Sequence, residues 1–245
     1  MENEKAMNMK LLVLCCLVVL LPFGCMEFAE ATSISQQRDE TRNVGEFHAV
    51  ANSGSIVVEV KVGEHESVRL EGNEEAIREI ETVVESGTLK IRYKRGIKMV
   101  GRNWGKVTAY VTAKRIDGLS QSGSGSITVM GKITGNKLNT SLSGSGRIVF
   151  ETDVAVCNAS ISGSGRMSAN GNAKESNVSI SGSGQFEGSD LRSQSANLKI
   201  SGSGNIRIHA NDQLDAAISG SGNIHYSGNA RTNVKTSGSG KVRKI

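Results

Sequence analysis

The sequence predicts an all-β fold: a parallel β-helix (solenoid) wound in coils of about 18–21 residues, with one short helix in its N-terminal part. Three observations predict it. The string Ser-Gly-Ser-Gly (SGSG) occurs seven times, beginning at Ser122, Ser143, Ser162, Ser181, Ser201, Ser219 and Ser237. A self-similar period near twenty marks stacked coils. Apolar residues then recur in phase with the string, which a flexible Gly/Ser linker would lack. Ile127, Ile148, Met167, Phe186, Ile206, Ile224 and Val242 stand two residues after each copy, and Leu142, Ile161, Ile180, Ile200 and Ile218 immediately before the next. Finally, 29 glycines, one proline and 4% aromatic residues suit a thin aliphatic core better than a thick spherical one.

Taken in order, residues 1–31 read as an export signal. Lys5 and Lys10 precede the apolar run Leu11–Leu21, which is short for a membrane span, and Ala29-Glu30-Ala31 offers a cleavage site. The alternative is a lipoprotein signal ending at Cys25, with Gly24 in the small position and Pro22 where Leu is usual. Cleavage after Ala31 leaves Cys157 as the one remaining cysteine, so no disulfide forms within the mature chain. Residues 32–44 are polar and read as a tether.

Residues 45–121 form an N-terminal β-rich part. Ile56, Val58, Val60 and Val62 alternate with polar neighbours, as do Leu89, Ile91 and Tyr93. Between them Asn73–Thr82 reads as a helix, capped by Asn73 with acids in its first turn. The basic, Gly-rich loop after Tyr93 carries Arg102 and Trp104, which with Tyr93 are the candidate ligand contacts. Packing of Trp104 over the end of the core is the competing reading, and solvent-facing Lys90, Arg92 and Lys94 argue against a nucleic-acid site.

Residues 122–245 are the SGSG-repeat β-helix. Parity along each strand sets the glycines on the core side and the serines outside, so SGSG marks a corner whose serines stack in two outward columns. Asn139, Asn158, Asn177, Asn197 and Asn233 form a further outward column, a structural ladder of stacked amides. Length variation falls at Gly131–Asn136 and Gly188–Ser195, and Lys244 interrupts a core column, a charge placed against further stacking.

Phe47…Val50…Gly54…Val58-x-Val60, then Val68-x-Leu70-x-Gly72 and Gly87-Thr88-Leu89-x-Ile91, then SGSG repeats with Gly-Asn-Ile at Gly204–Ile206 and Gly222–Ile224, resemble the GIN head domain family of putative autotransporter adhesin heads. The resemblance implies a right-handed single-stranded β-helix exported to the envelope of a Gram-negative bacterium of Bacteroidota type: periplasm, outer membrane or cell surface.

No enzyme is expected. Glu187 and Asp190 are close in sequence but lie in a loop edge, His209 and His225 fall in different outward columns, and neither set assembles a catalytic or metal constellation. No cofactor is implied. The function expected is an adhesin-like binding module for a polysaccharide or a surface protein, without nucleic acid and touching membrane only through a lipid anchor. The alternative is an envelope scaffold or stress-signalling partner, and a polysaccharide-acting enzyme ranks last.

Overall fold

The computed structural model describes residues 37–97 and 104–245, which belong to one compact unit. Cys25, Ala31 and Arg102 lie outside the described residues. The described chain is a β-solenoid of about seven turns with one short helix.

Its body consists of one long bent strand per coil: β9 (Ser126–Gly144), β10 (Arg147–Gly163), β11 (Arg166–Gly182), β12 (Gln185–Gly202) and β13 (Asn205–Gly220). All pair in parallel, and the register is the one the repeats specify. Ile148 lies against Ile127 and Met167, and Ile161 against Leu142 and Ile180. Breaks in register fall at Val149/Glu151, Ser168/Gly171 and Gly188/Arg192, where coil lengths differ. The last coil is β14 (Asn223–Ser227), β15 (Arg231–Ser237) and β16 (Lys241–Lys244). Among the described residues β15 pairs with β13 alone, and its core-column residue Val234 is 44% exposed.

The two glycines of each corner act differently. The first adopts positive φ, as at Gly163 (110°), which lets the chain turn. The second is buried in every corner but the last: a Cβ on Gly165 would lie 2.7 Å from Leu142 Cδ2 and 2.8 Å from the Gly146 carbonyl oxygen. The corner N–H groups continue the inter-coil ladder, for example Ser164 N–H to the Gly144 carbonyl at 3.0 Å.

The solenoid begins before the first SGSG. Strand β2 (Ala49–Ser53) pairs in parallel with β8 (Gly118–Gly123), and β3 (Val57–Val62) with the start of β9. Residue 121 is therefore no structural boundary, because the ladder runs through it. Ser53-Gly54-Ser55 is an eighth corner: Gly54 has φ 106°, and its carbonyl accepts from Gly125 N–H at 2.8 Å. Ile56 replaces the second glycine, and the buried Asn52 amide closes the turn, donating to the Ile56 carbonyl at 2.7 Å and to Gln121 Oε1 at 2.6 Å.

Antiparallel elements cover the N-terminal end. Strand β1 (Gln37–Arg42) pairs with β4 (Ser67–Asn73), β4 with β7 (Thr108–Ala113), and β5 (Ile80–Glu85) with β6 (Thr88–Tyr93). Two expectations are corrected here. Residues 37–42 are a strand rather than tether, because their charges pair with the cap: Asp39 with Arg69 at 2.8 Å and Arg38 with Glu74 at 2.9 Å. Helix α1 covers only Glu74–Arg78, capped by Asn73 Oδ1 accepting from Ala76 N–H at 3.0 Å. From Ile80 the β-branched run Ile-Glu-Thr-Val-Val makes a hairpin strand instead. Ile77 and Ile80 are both fully buried, one from each element.

Candidate binding face

The stretch before each corner supplies three outward positions per coil. In successive coils these are Asn139, Ser141 and Ser143, then Asn158, Ser160 and Ser162, then Asn177, Ser179 and Ser181. The alternate residues, such as Ala159 and Ile161, are buried, so the strand period of two divides core from face. Since the outward side chains are small, the face is a shallow trough. One hollow of about 720 Å³ follows the Asn column from Gly118 to Asn197. A second of about 490 Å³ follows the serines from Ser160 to Ser237. They share Ser160, Ser179 and Lys199 and are thus continuous.

The Asn column is hydrogen-bonded up the stack. Asn158 Nδ2 donates to Asn139 Oδ1 at 2.9 Å, Asn177 to Asn158 at 3.0 Å, and Asn197 to Asn177 at 3.0 Å. Asp215 follows in register and has no side-chain N–H to donate to Asn197, and the ladder resumes with Asn233 donating to Asp215 at 2.9 Å. Asn158 spends one N–H and one lone pair along the column and keeps the others for an outside partner, whereas Asn177 gives its second N–H to Glu175 Oε1 at 2.8 Å. The residues lining the trough carry no formal charge before Lys199, and Glu175 stands at its margin beside Asn177; Lys235 follows toward the far end. The SGSG hydroxyls form no bonds between coils among the described residues.

Of the residues singled out as ligand contacts, Tyr93 and Trp104 lie away from the trough, and Arg102 lies outside the described residues. Trp104 is only 7% exposed and packs against Tyr93, ring centroids 5.4 Å apart and tilted 41°. It closes the N-terminal end of the core and does not present an exposed contact. Glu187 accepts from Ser189 Oγ at 2.6 Å and pairs with Arg207 at 3.3 Å, while His209 bonds Ser227 at 2.9 Å and Asn211 at 3.1 Å. Among the described residues no group of three or more His, Cys, Asp or Glu is placed to hold a metal. Cys157 is buried between coils, and burial pushes its thiol up to about 12. The middle serine column of the trough went unread as a site; the signal available for it was the outward serine between Asn and SGSG.

The family model described as "Putative auto-transporter adhesin, head GIN domain" matches residues 46–230. Among solved structures, the chain is similar to a putative adhesin from Bacteroides fragilis (21% identity, TM-score 0.78), with 86% of this chain and 97% of that one covered. A putative lipid binding protein from Parabacteroides distasonis is also similar (23% identity, TM-score 0.72, coverage 86% and 98%). So is a putative adhesin from Parabacteroides merdae (22% identity, TM-score 0.71, coverage 86% and 97%). At these identities the likeness shows the fold. No curated protein matches the chain in sequence.

Proposed function

Because the chain belongs to the family of putative auto-transporter adhesin head (GIN) domains, we propose that it is an exported, non-enzymatic binding module of the cell envelope whose Asn–Ser trough receives a polysaccharide. The observation that carries this reading is the trough itself. It is continuous over several coils, uncharged along its lining before Lys199, and paved with hydroxyls and amides repeating about every 4.8 Å. A linear polymer lying along the stack meets the same groups once per coil, so weak contacts add along its length. Export is supported by Lys5 and Lys10 ahead of the run Leu11–Leu21 and by the small residues at Ala29 and Ala31. Fatty-acid labelling distinguishes acylation of Cys25 from cleavage after Ala31.

A glycan array probed with the protein tests the reading. Binding to linear glycans that is lost in Ser160→Gln/Ser179→Gln supports it, and an array without hits contradicts it. A protein partner is the second reading, favoured by β15, whose seven residues are all exposed on an edge that can accept another strand. Crosslinking in isolated envelopes that captures one protein through β15, with no glycan bound, selects it.

A further inference from the structure

Beyond each SGSG corner the chain enters the next wall through one outward position, occupied in successive coils by Ser126, Arg147, Arg166, Gln185 and Asn205. Arg147 and Arg166 are register partners, so two exposed guanidiniums start about 4.8 Å apart. Like charges facing each other on neighbouring strands are unfavourable unless an anion lies between them. Among the described residues no carboxylate pairs with either arginine. The two nearest carboxylates along the wall are engaged elsewhere, Glu151 with Lys132 at 3.1 Å and Glu187 with Arg207 at 3.3 Å. Arg166 Nε donates to Gln185 Oε1 at 3.0 Å, which fixes its guanidinium and leaves the terminal nitrogens uncommitted. Both arginines line a groove of about 510 Å³ along the corner, together with Ser145, Ser164 and Ser183.

We propose that this corner groove is an anion site that holds the sulfate or uronate groups of an acidic polysaccharide. The Arg147 and Arg166 forks bind the oxygens, and the corner hydroxyls donate beside them. The inference rests on reading the trough as a polymer-binding face and adds the ligand's charge. Ser143 and Ser162, at the edge of the trough, are each two residues from a corner serine, so one polymer can lie on the face with its acidic groups over the corner. A membrane surface fits less well. Among the described residues the exposed large apolar side chains are Met130, Val234 and Ile245, none at this corner to insert into lipid.

Binding of the purified protein to dextran sulfate, polygalacturonate and uncharged dextran, at about 0.15 M salt, tests the site. At least one acidic polymer is expected to bind better than dextran. Arg147→Gln/Arg166→Gln is expected to weaken that binding by about tenfold or more. Lys174→Gln/Arg192→Gln removes the same charge at a separate hollow beyond the register break and is expected to change it by less than about twofold. The site is overturned if neither acidic polymer binds, if both double variants lose affinity equally, or if binding goes to phosphatidylglycerol vesicles and not to polymer. A neutral-glycan hit that persists in Arg147→Gln/Arg166→Gln, with no arginine-dependent binding of either acidic polymer, sinks the anion site and leaves the trough standing. Loss of every glycan hit in Ser160→Gln/Ser179→Gln speaks to the trough.

Discussion

A Cβ added at Gly163 would lie 2.7 Å from the Gly144 carbonyl oxygen, at a φ of 110° that L-residues rarely adopt. Steric overlap and backbone strain coincide there, so Gly163→Ala is expected to cost about 2–4 kcal/mol in denaturant unfolding. Ser164→Ala, on the adjacent outward residue, should stay within about 0.5 kcal/mol. Cys157 gives a second residue-level expectation. Its buried thiol stays neutral up to about 12, whereas in the unfolded chain it ionises near the ordinary value of 9.0. Its contribution is thus intact below pH 9 and lost as pH rises from there toward 12, by at most about 4 kcal/mol. Cys157→Ala should flatten that alkaline decline in unfolding measured against pH, and the folded protein should resist thiol reagents at neutral pH. At this scale the sequence was partly readable. The parity of SGSG placed its second glycine in the core, but that the first turns the chain through positive φ depends on the backbone and leaves no mark in periodicity. Trp104 shows the same limit: a Gly-flanked tryptophan reads alike whether it covers a core or greets a ligand, and only the contact with Tyr93 separates the two.

Among the elements, the Asn ladder is the device most open to test. Asn158 donates to Asn139 and accepts from Asn177, so Asn158→Asp sets a carboxylate against Asn139 Oδ1 with no proton between them. The expected cost is about 1–2 kcal/mol in global unfolding. Asn233→Asp, in the uncapped last coil, should cost less, because that coil opens before the rest; hydrogen exchange should find β15 least protected. The parallel strands were legible because each coil repeats its columns, and Ile148 could only face Ile127 and Met167. The cap was not. Gln37–Arg42 is polar enough to read as tether and becomes a strand through ion pairs with distant partners. Ile80 keeps the spacing of a helix begun at Asn73, but its β-branched followers pair with β6. Ser53-Gly54-Ser55 escaped as a corner since Ile56 stands where the second glycine should be, its turn held by the Asn52 amide from within the core.

For the molecule as a whole, eight corners aligned in one column imply a stack about 34 Å long. The repeats place a continuous trough on one side of that column and two adjacent arginines on the other. Glycines set the corner, aliphatic columns fill the inside, and outward Asn and Ser leave a surface of regular, mostly uncharged donors and acceptors. The columns themselves were visible in the sequence. The trough was not, because a hollow shared by several coils depends on how far each small side chain stands from its neighbours. The most direct test of the binding face measures affinity for the strongest linear hit of the glycan array. Ser160→Gln/Ser179→Gln fills the trough, and Ser168→Gln/Ser189→Gln makes the same substitutions on the wall beyond the corner. Binding lowered by about tenfold or more in the first pair and unchanged in the second is the expected result. Equal affinity in both pairs would show that the ligand does not lie on this face.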